Sequence, residues 1–281
     1  ISFRDALAQS VNIPALKVLY LVGLNQALGV AKAAGITSLT DPSRYGLTLV
    51  LGGGEVSLLE LTGAYGVFAN EGVKNPTSAI LVVKDSVGNT IEEFTPASER
   101  ALPENTARLI SDILKDDQAR TPAFGANSLL HFSTHEVAVK TGTSNDYRDA
   151  WIVGYTPKVV VGAWAGNNDN SPMEKKVAGF IVAPLWHAMM EEIIKQSPNQ
   201  PFSPPQSPTT DLKPIIRGIW RGGETYVVDK ISQKLATEYT PENLKEERVI
   251  QAVHSILYWI DKNNPFGPAP TRPTTDPQFN L

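Results

Sequence analysis

The sequence predicts an α+β fold in which an antiparallel sheet is flanked by helices, with a small C-terminal appendage. Three runs of small and β-branched residues, at 137–141, 150–155 and 159–164, are separated by short connections. Parallel strands need a crossover of a dozen or more residues, so these runs can only pair as an antiparallel meander. Helical patterns precede and follow them. With 281 residues, 42% of them hydrophobic, the chain is long enough to bury a core.

Helices dominate the amino-terminal part. Apolar residues recur at helical spacing in the segments 3–9, 14–22 and 25–34. Gly23 and Gly35 follow the second and third of these segments, where a glycine commonly ends a helix. We therefore expect three short helices in succession.

The stretch LGGGEVSLLELTGAYGVFANEG combines a glycine-rich turn with a helix start. Ser57 and Glu60 have the spacing of a capping box, and the apolar face that follows predicts a buried helix ending near Asn70. Next, strand-like runs at 79–84 and 90–94 flank the turn sequence DSVGN. This pattern predicts a hairpin.

Two further helices are predicted on either side of the meander, at 103–115 and 181–195. The second is amphipathic, and its apolar face is expected to contain Leu185, Met189 and Ile193.

The composition changes after residue 200. The stretch QSPNQPFSPPQSPTTDLKP is rich in proline and serine, which stiffen a chain without giving it a core. We therefore expect a domain at 1–200, a linker at 201–214 and a small extension at 215–281. Within the extension, a strand pair is predicted around 226–237 and a helix near 241–250.

Composition excludes several classes of function. The net charge is -4 and no basic cluster is present, so nucleic acid is not an expected partner. The chain has no cysteine, which excludes thiolate catalysis, disulfides and Cys-based zinc sites. No apolar run reaches the ~20 residues that span a bilayer. We expect no membrane anchor within these residues.

Polar residues interrupt the first strand of the meander. After the apolar run VAV come Lys140, Thr141, Gly142, Thr143 and Ser144. Strand alternation puts Lys140 and Gly142 on one face and the two threonines on the other, unless a bulge intervenes. A lone lysine at a strand end usually extends into solvent, whereas a glycine within a strand is typical of close approach by a ligand.

A second polar element is Ser10-Val11-Asn12, between two predicted helices. By itself it reads as an ordinary helix stop and N-cap. Lys-Thr-Gly and Ser-x-Asn are, however, two motif elements of penicillin-binding proteins and serine β-lactamases. In this chain Ser10 precedes Lys140, which is the order that the family uses.

Three stretches together resemble the transpeptidase domain of class A, high-molecular-mass penicillin-binding proteins over roughly residues 1–200: ALAQSVNIPALKVLYLVG, LGGGEVSLLELTGAYGVFANEG and VKTGTSNDYRDAWIVGYTPKVVVGAWAG. The resemblance implies that the strand at 137–141 faces an active-site cleft, with Ser10 and Asn12 across from it. It also implies that the hairpin at 79–94 belongs to the same sheet. It implies a fold like that of the penicillin-binding proteins and serine β-lactamases.

The resemblance also implies roles for the first three polar residues. Ser10 would relay a proton, because a hydroxyl can donate and accept at once. Asn12 would hold the substrate's amide and orient the lysine of the nucleophile motif. Lys140 would place positive charge near Ser10 and near the substrate carboxylate.

The remaining motif residues are implied to bind substrate. Thr141 and Thr143 would bind the substrate carboxylate through their hydroxyls, and the Thr143 backbone N–H would form half of an oxyanion hole. Gly142 would let the peptide lie alongside the strand. Ser144 would complete this substrate-binding set.

The acylating motif Ser-x-x-Lys of the family is not found in these residues. No serine has a lysine three positions later; after Ser232, for example, Lys234 comes one position early. In the family this motif precedes Ser-x-Asn, so we expect the chain to be a fragment that begins after the nucleophile. Such a fragment would be inactive by itself.

For the parent protein, the resemblance implies a serine-type D-Ala-D-Ala transpeptidase that cross-links peptidoglycan. The enzyme attacks the penultimate D-alanine carbonyl of a stem peptide, releases D-alanine and passes the acyl group to an amine of a neighbouring stem. β-Lactams would acylate the same serine, and no cofactor or metal is implied. The enzyme would act at the outer face of the bacterial cytoplasmic membrane, with its anchor outside these residues.

Two alternatives stay open at this point. A DD-carboxypeptidase or β-lactamase shares Lys-Thr-Gly but transfers the acyl group to water; the extended LGGGEVSLLELTGAYGVFANEG resemblance argues against both. A non-catalytic scaffold relative would keep the fold for partner contacts.

Other residues with chemical potential have simpler explanations. His131 and His135 are spaced i, i+4, but no acidic residue separates them as in zinc hydrolases, so a metal site is not favoured. Asp149, beside Arg148 at a predicted turn, is expected to be structural. Three tryptophans lie in apolar patterns typical of core packing: Trp151, Trp164 and Trp186.

Overall fold

The computed structural model describes residues 1–196, 198–207, 212–213, 215–216, 223–251 and 255–268. The chain divides into two compact units, Ile1–Gln206 and Ser207–Leu281. Parts of the stretches 201–214 and 215–281 lie outside the described residues.

The described residues of the first unit contain eight α-helices: α1 (Phe3–Ala8), α2 (Asn12–Val22), α3 (Leu24–Ala33), α4 (Leu58–Ala69), α5 (Glu104–Leu114), α6 (Asp117–Phe124), α7 (Ala178–Ile181) and α8 (Ala183–Ile194). The strands of this unit are β1 (Val73–Lys74), β2 (Val82–Lys84), β3 (Thr90–Glu93), β4 (Glu99–Arg100), β5 (Ala138–Thr143), β6 (Asp149–Tyr155) and β7 (Val160–Gly166). This mixture of helices and antiparallel strands is the predicted α+β class.

The predicted meander is confirmed. Strands β5, β6 and β7 form an antiparallel sheet in the order β5-β6-β7. The register of β5 against β6 is unbroken from the pair Ala138–Tyr155 to the pair Thr143–Ala150, so β5 contains no bulge. Side chains along β5 therefore alternate strictly between the two faces.

The hairpin is real, but its expected place in this sheet is wrong. Among the residues that the structure describes, strands β2 and β3 pair only with each other in a separate two-stranded sheet, and β1 pairs with β4. Every residue of β2 and β3 is exposed. With no face buried against the core, the hairpin has no packing that would place it beside β5 or β7.

One face of the β5–β7 sheet is covered by α7 and α8. The Trp186 ring is fully buried there, packs edge-on against Phe132, and donates from Nε1 to the Val161 carbonyl at 2.9 Å. The predicted core role of Trp186 is confirmed. Its ring lies directly over Gly154 of β6.

The face predicted for α8 is wrong at two of its three residues. Leu185 and Met189 are 69% and 52% exposed, while Ala183, Trp186, Met190 and Ile194 are buried and Ile193 is partly buried against the same core. Both stripes are apolar and have i, i+3 or i, i+4 spacing, so periodicity alone cannot choose between them. The large Trp186 ring decides the orientation, because it has the most apolar surface to bury.

The opposite face of the sheet packs against α1, α4 and α5. Ala138 and Tyr155 form a cluster there with Leu114, and Leu7 of α1 packs against it. The buried Tyr155 hydroxyl is hydrogen-bonded to Ser111 Oγ at 3.1 Å. This cluster fixes the end of α1 over the face that Ala138 shares with Lys140.

Helix α4 begins with the predicted capping box. Ser57 Oγ accepts from the Glu60 N–H at 3.1 Å, and the Glu60 carboxylate accepts from the Ser57 N–H at 3.5 Å. The same carboxylate accepts from the Thr37 N–H and hydroxyl, and these bonds lower the pKa of Glu60 to about 2. The glycines before α4 make a close turn, since a side chain on Gly54 would press on Leu39.

The described residues of the second unit contain a strand pair, β8 (Gly223–Asp229) and β9 (Lys245–Gln251), and the short helix α9 (Ile256–Trp259). The helix expected near 241–250 is wrong. A short 3-10 turn at Glu242–Leu244 leads directly into β9. Pairing of β9 with β8 along its whole length overrides the local helix preference.

Within the described part of the chain, no single helix combines the length and the apolar composition needed to cross a bilayer. Helices α2 and α3 meet those criteria only together, and they are bent by 96° at Gly23.

The contact between Trp186 and Gly154 leads to a first prediction. A methyl group at position 154 would overlap the Trp186 ring, so Gly154→Ala should lower the free energy of unfolding by about 2 kcal/mol, as overpacking does. The matched control is Gly29→Ala in α3, where no atom lies near the added methyl and helix propensity favours alanine. Urea denaturation measures both; equal stability of the two variants would contradict the packing described.

Candidate active site

The position of Lys140 follows from the alternation of β5. Ala138 and Val139 are buried on opposite faces of the sheet, Ala138 toward Leu7 and Val139 toward α7 and α8. Lys140 therefore shares the face of Ala138, over which the end of α1 lies. The motif lysine does not extend freely into solvent.

Ser10 lies at the end of α1 in a strained backbone conformation. The Ser10 N–H bonds to the Leu7 carbonyl at 3.2 Å, and the Val11 N–H reaches back to the Ala6 carbonyl at 2.8 Å. These two bonds form a Schellman motif, with Ser10 in the left-handed position at φ 60°. Ser10 thus ends α1, while the residue preceding α2 is Val11. The Schellman turn directs the Ser10 side chain toward the sheet.

The two motif residues meet. Lys140 Nζ donates to Ser10 Oγ at 2.6 Å and to the Thr141 carbonyl at 2.8 Å. The contact joins residues 130 positions apart in the chain. The sequence-predicted pair is therefore brought together on one side of the sheet.

The environment of Lys140 disfavours its charge. Burial lowers the pKa of Lys140 from its ordinary 10.5 to about 8, and the positive charge of Arg120 adds to the effect. A lysine with such a pKa is present in both protonation states near neutral pH. It can both accept a proton from a neighbouring hydroxyl and return it.

The two threonines lie on the face away from Lys140. Thr143 Oγ1 accepts from the Ala178 N–H at the start of α7, at 2.9 Å. That hydroxyl is therefore used inside the fold. Strand β5 is at one end of its sheet, so alternate backbone N–H and C=O groups of 140–143 point away from β6.

Asn12 and Ser144 are not brought into the Ser10–Lys140 contact. Asn12 is exposed at the first position of α2, and no hydrogen bond of its side chain is found among the described contacts. Ser144 Oγ donates to Asp149 Oδ2 at 2.7 Å and accepts from the Asp149 N–H at 2.8 Å. Its hydroxyl therefore closes the turn between β5 and β6.

Asp149 connects this turn to β7. Besides its bonds to Ser144, its Oδ1 accepts from Trp164 Nε1 at 3.0 Å. Trp164 is 38% exposed and Trp151 is half-buried, so the expectation that both belong to the core is wrong. Trp164 instead lies partly exposed on the face that Lys140 shares, with its indole nitrogen bonded to Asp149, because an indole N–H needs a partner.

Two histidines and one arginine complete the surroundings. His131 Nδ1 is hydrogen-bonded to Asp117 Oδ2 at 2.6 Å, and His135 to the Thr134 hydroxyl. No group of metal-ligating side chains occurs among the described residues. Arg120, which belongs to none of the motifs, lies buried beneath β5; its only sequence signal is an aspartate three positions earlier on a helix.

Comparison with known proteins identifies the family of the chain. Residues 1–191 match the family described as the penicillin-binding protein transpeptidase domain. The chain belongs to this family. The class A resemblance is confirmed by penicillin-binding protein 1A of Aquifex aeolicus, which is 35% identical over 216 residues, covering 76% of this chain and 29% of the relative. Penicillin-binding protein 1A/1B of Bacillus subtilis is 35% identical over 208 residues, covering 66% and 22%.

Solved penicillin-binding proteins share the fold. PonA1 of Mycobacterium tuberculosis, solved in complex with penicillin V, aligns with a TM-score of 0.64 at 21% identity, covering 73% of this chain and 59% of that one. Penicillin-binding protein 1A of Haemophilus influenzae gives 0.63 at 19% identity, covering 88% and 39%. The chain spans less than a third of the length of the Aquifex and Bacillus relatives.

The left-handed backbone of Ser10 leads to a second prediction. Ser10→Gly and Ser10→Ala both remove the hydroxyl, but only glycine adopts this conformation without strain. The glycine variant should therefore be more stable than the alanine variant by about 1 kcal/mol. Urea denaturation of the two variants measures the difference. An alanine variant that is equally or more stable would show that the Schellman turn is not formed.

The pKa of Lys140 leads to a third prediction. Because the folded-state pKa lies below the unfolded value, the unfolded chain binds more protons between about pH 8 and 10.5, and the Lys140 contribution to stability rises with pH across that window. The stability of the native protein relative to Lys140→Gln should increase by up to about 3 kcal/mol over this range.

Lys195→Gln is the matched control for that titration. Glu192 raises the pKa of Lys195, so the stabilising contribution of Lys195 is lost as the pH rises through its folded-state pKa. The two variants should differ from the native protein with opposite pH trends in denaturation experiments. A Lys140 trend that is flat, or that has the same sign as the Lys195 trend, would contradict the partly buried position of the Lys140 amine.

Proposed function

We propose that residues 1–200 supply the Ser10–Lys140 side of the active site of a serine D-Ala-D-Ala transpeptidase that cross-links peptidoglycan. The observation that supports this most directly is the 2.6 Å hydrogen bond between Lys140 Nζ and Ser10 Oγ. A hydroxyl bonded to an amine with a pKa of about 8 is suited to relaying a proton between a leaving group and an attacking nucleophile.

In this proposal the free edge of β5 binds the donor stem peptide. Gly142 has no side chain to obstruct a peptide lying alongside, and the Thr143 N–H supplies half of the oxyanion hole. The protonated Lys140 amine binds the terminal carboxylate, and the Thr141 hydroxyl, which lies on the other face, reaches that carboxylate around the free edge of β5. The Thr143 and Ser144 hydroxyls, already bonded to Ala178 and Asp149, act by holding the edge in shape.

Asn12 completes the constellation from the other side. It is exposed beside Ser10, so its carboxamide is free to bind the substrate amide and the lysine of the nucleophile motif. The acylating Ser-x-x-Lys belongs, in this proposal, to a segment of the parent protein that precedes Ile1. The nucleophile there attacks the penultimate D-alanine carbonyl, D-alanine leaves, and a stem-peptide amine takes the acyl group.

β-Lactams are proposed as covalent inhibitors of the complete enzyme, in line with the penicillin V complex of PonA1. No cofactor is required for this acyl transfer. The parent protein is proposed to work at the outer face of the cytoplasmic membrane, where its peptidoglycan substrate is, through an anchor outside the 281 residues.

A covalent-labelling experiment tests the proposal. The 281-residue chain should give no adduct with a fluorescent penicillin, because neither Ser10 nor Ser144 has a lysine three positions later. The polypeptide extended upstream through Ser-x-x-Lys should give one. In that longer protein Lys140→Ala should slow acylation by roughly 100-fold to 1000-fold, the usual loss for one preorganised electrostatic contact.

Intact-mass spectrometry reads out both arms. An adduct on the short chain would mean that the nucleophile is misassigned. A longer protein that folds but lacks the motif, or binds no penicillin, would favour the scaffold alternative. Product analysis with a stem pentapeptide and an amine acceptor separates a transpeptidase, which forms the cross-linked peptide, from a carboxypeptidase, which releases only D-alanine.

A further inference from the structure

Arg120 is a buried cation that the proposed reaction does not yet use. It is 4% exposed. Its Nη1 donates to the Val139 carbonyl at 3.4 Å and to the Leu114 carbonyl at 3.2 Å, and its Nη2 pairs with Asp117 Oδ1 at 2.5 Å. Val139 immediately precedes Lys140 in β5. The guanidinium therefore ties the motif strand to the end of α5 and the start of α6.

The same helix also holds the other half of the Ser10–Lys140 pair. Gln9 Nε2 donates to the Ala119 carbonyl at 3.0 Å. Gln9 immediately precedes Ser10, just as Ala119 immediately precedes Arg120. Helix α6 thus bonds to Gln9, next to Ser10, and to Val139, next to Lys140. A shift of α6 would therefore change the distance between Ser10 and Lys140.

The charge of Arg120 acts on Lys140 as well. Among the described residues, it is the charged group that adds to burial in lowering the pKa of Lys140. The Asp117 carboxylate pairs with Arg120 through Oδ1 and so partly neutralises its charge. Its other oxygen, Oδ2, is hydrogen-bonded to His131. The other groups that contact the Lys140 amine, the Ser10 hydroxyl and the Thr141 carbonyl, are uncharged. A neutral residue in place of Arg120 would remove a repulsion on the protonated Lys140 amine and so raise the pKa of Lys140.

We propose that Arg120 is a positioning residue for Lys140. Arg120 holds strand β5 in place next to Lys140 and favours the neutral form of the Lys140 amine, which is bonded to Ser10. The arginine contacts no substrate. It acts through Lys140, and its value for acyl transfer rests on the function proposed above. The effect on the protonation of Lys140 does not rest on that function.

Competitive labelling of lysines tests the proposal in the 281-residue chain. Trace acetic anhydride is added at a series of pH values, and peptide mass spectrometry gives the labelling profile of each lysine. Arg120→Gln keeps a hydrogen-bond donor for the Val139 carbonyl but removes the charge, whereas Arg120→Lys keeps the charge. The Lys140 midpoint should rise by about one pH unit in Arg120→Gln and stay low in Arg120→Lys.

The Lys195 profile is the internal control, because Glu192 is its partner and no residue of α6 contacts it among the described bonds. It should be unchanged in every variant. A folded Arg120→Gln protein with an unchanged Lys140 midpoint would overturn the proposal, since a purely structural arginine alters stability but not this profile. Circular dichroism melting identifies the folded variants.

If Arg120→Gln does not fold, Asp117→Asn provides the second test. The amide oxygen can still accept from Arg120, and the amide nitrogen can donate to an unprotonated His131 Nδ1, but the charge that balances Arg120 is gone, so the Lys140 midpoint should fall. An unchanged or higher midpoint would overturn the proposal.

Acylation of the longer protein by penicillin is measured separately from the labelling of Lys140. In the longer protein, Arg120→Gln should shift the Lys140-dependent inflection of the acylation rate to higher pH by the same amount. If the labelling midpoint moves but penicillin never acylates the longer protein, the proposed function has failed and the effect of Arg120 stands. If acylation occurs with an inflection that does not move, the arginine inference has failed and the proposed function stands.

Discussion

The burial of β5 on both faces is the constraint on which the candidate site depends. Ala138 and Val139 are enclosed by different clusters, so a slip of one residue would put each side chain on the wrong face. The register against β6 is thereby fixed, and it extends without interruption into the motif. Lys140 has to face α1, and Thr143 has to face α7.

Because the register of β5 is fixed, the side chains on its two faces have different environments. Thr143, which faces α7, is hydrogen-bonded within the fold, and Lys140 on the other face contacts Ser10. The hydroxyl of Thr143 is used to receive the first N–H of α7, and the turn after it is closed by Ser144 and Asp149. These bonds hold the strand end in place from one side. The opposite side is left to the amine of Lys140 and the hydroxyl of Ser10, which meet without any other part of the site being needed. Such a contact is preorganised, so it requires no rearrangement when a substrate binds.

Much of this could be predicted from the sequence. The meander, the capping box of α4 and the pairing of Ser10 with Lys140 follow from short connections, cap chemistry and motifs. Three features could not be predicted: the exposure of the hairpin, the buried face of α8 and the strand β9. In each case the sequence allows two arrangements, and contacts with distant residues decide between them. Arg120 could not be predicted for another reason: its role arises from bonds to the backbone carbonyls of Leu114 and Val139, six and 19 residues away, and a backbone carbonyl carries no sequence signal.

The left-handed conformation of Ser10 also has a consequence for descent. At this position the backbone favours glycine, and only the contact of the hydroxyl with Lys140 favours serine. In a lineage that retained a function for the Ser10–Lys140 contact, drift toward glycine would be opposed despite its better fit to the turn. In a lineage that lost it, selection for stability alone would lead to glycine or asparagine. The residue found at this position in a relative is therefore a record of whether its ancestors still used the hydroxyl.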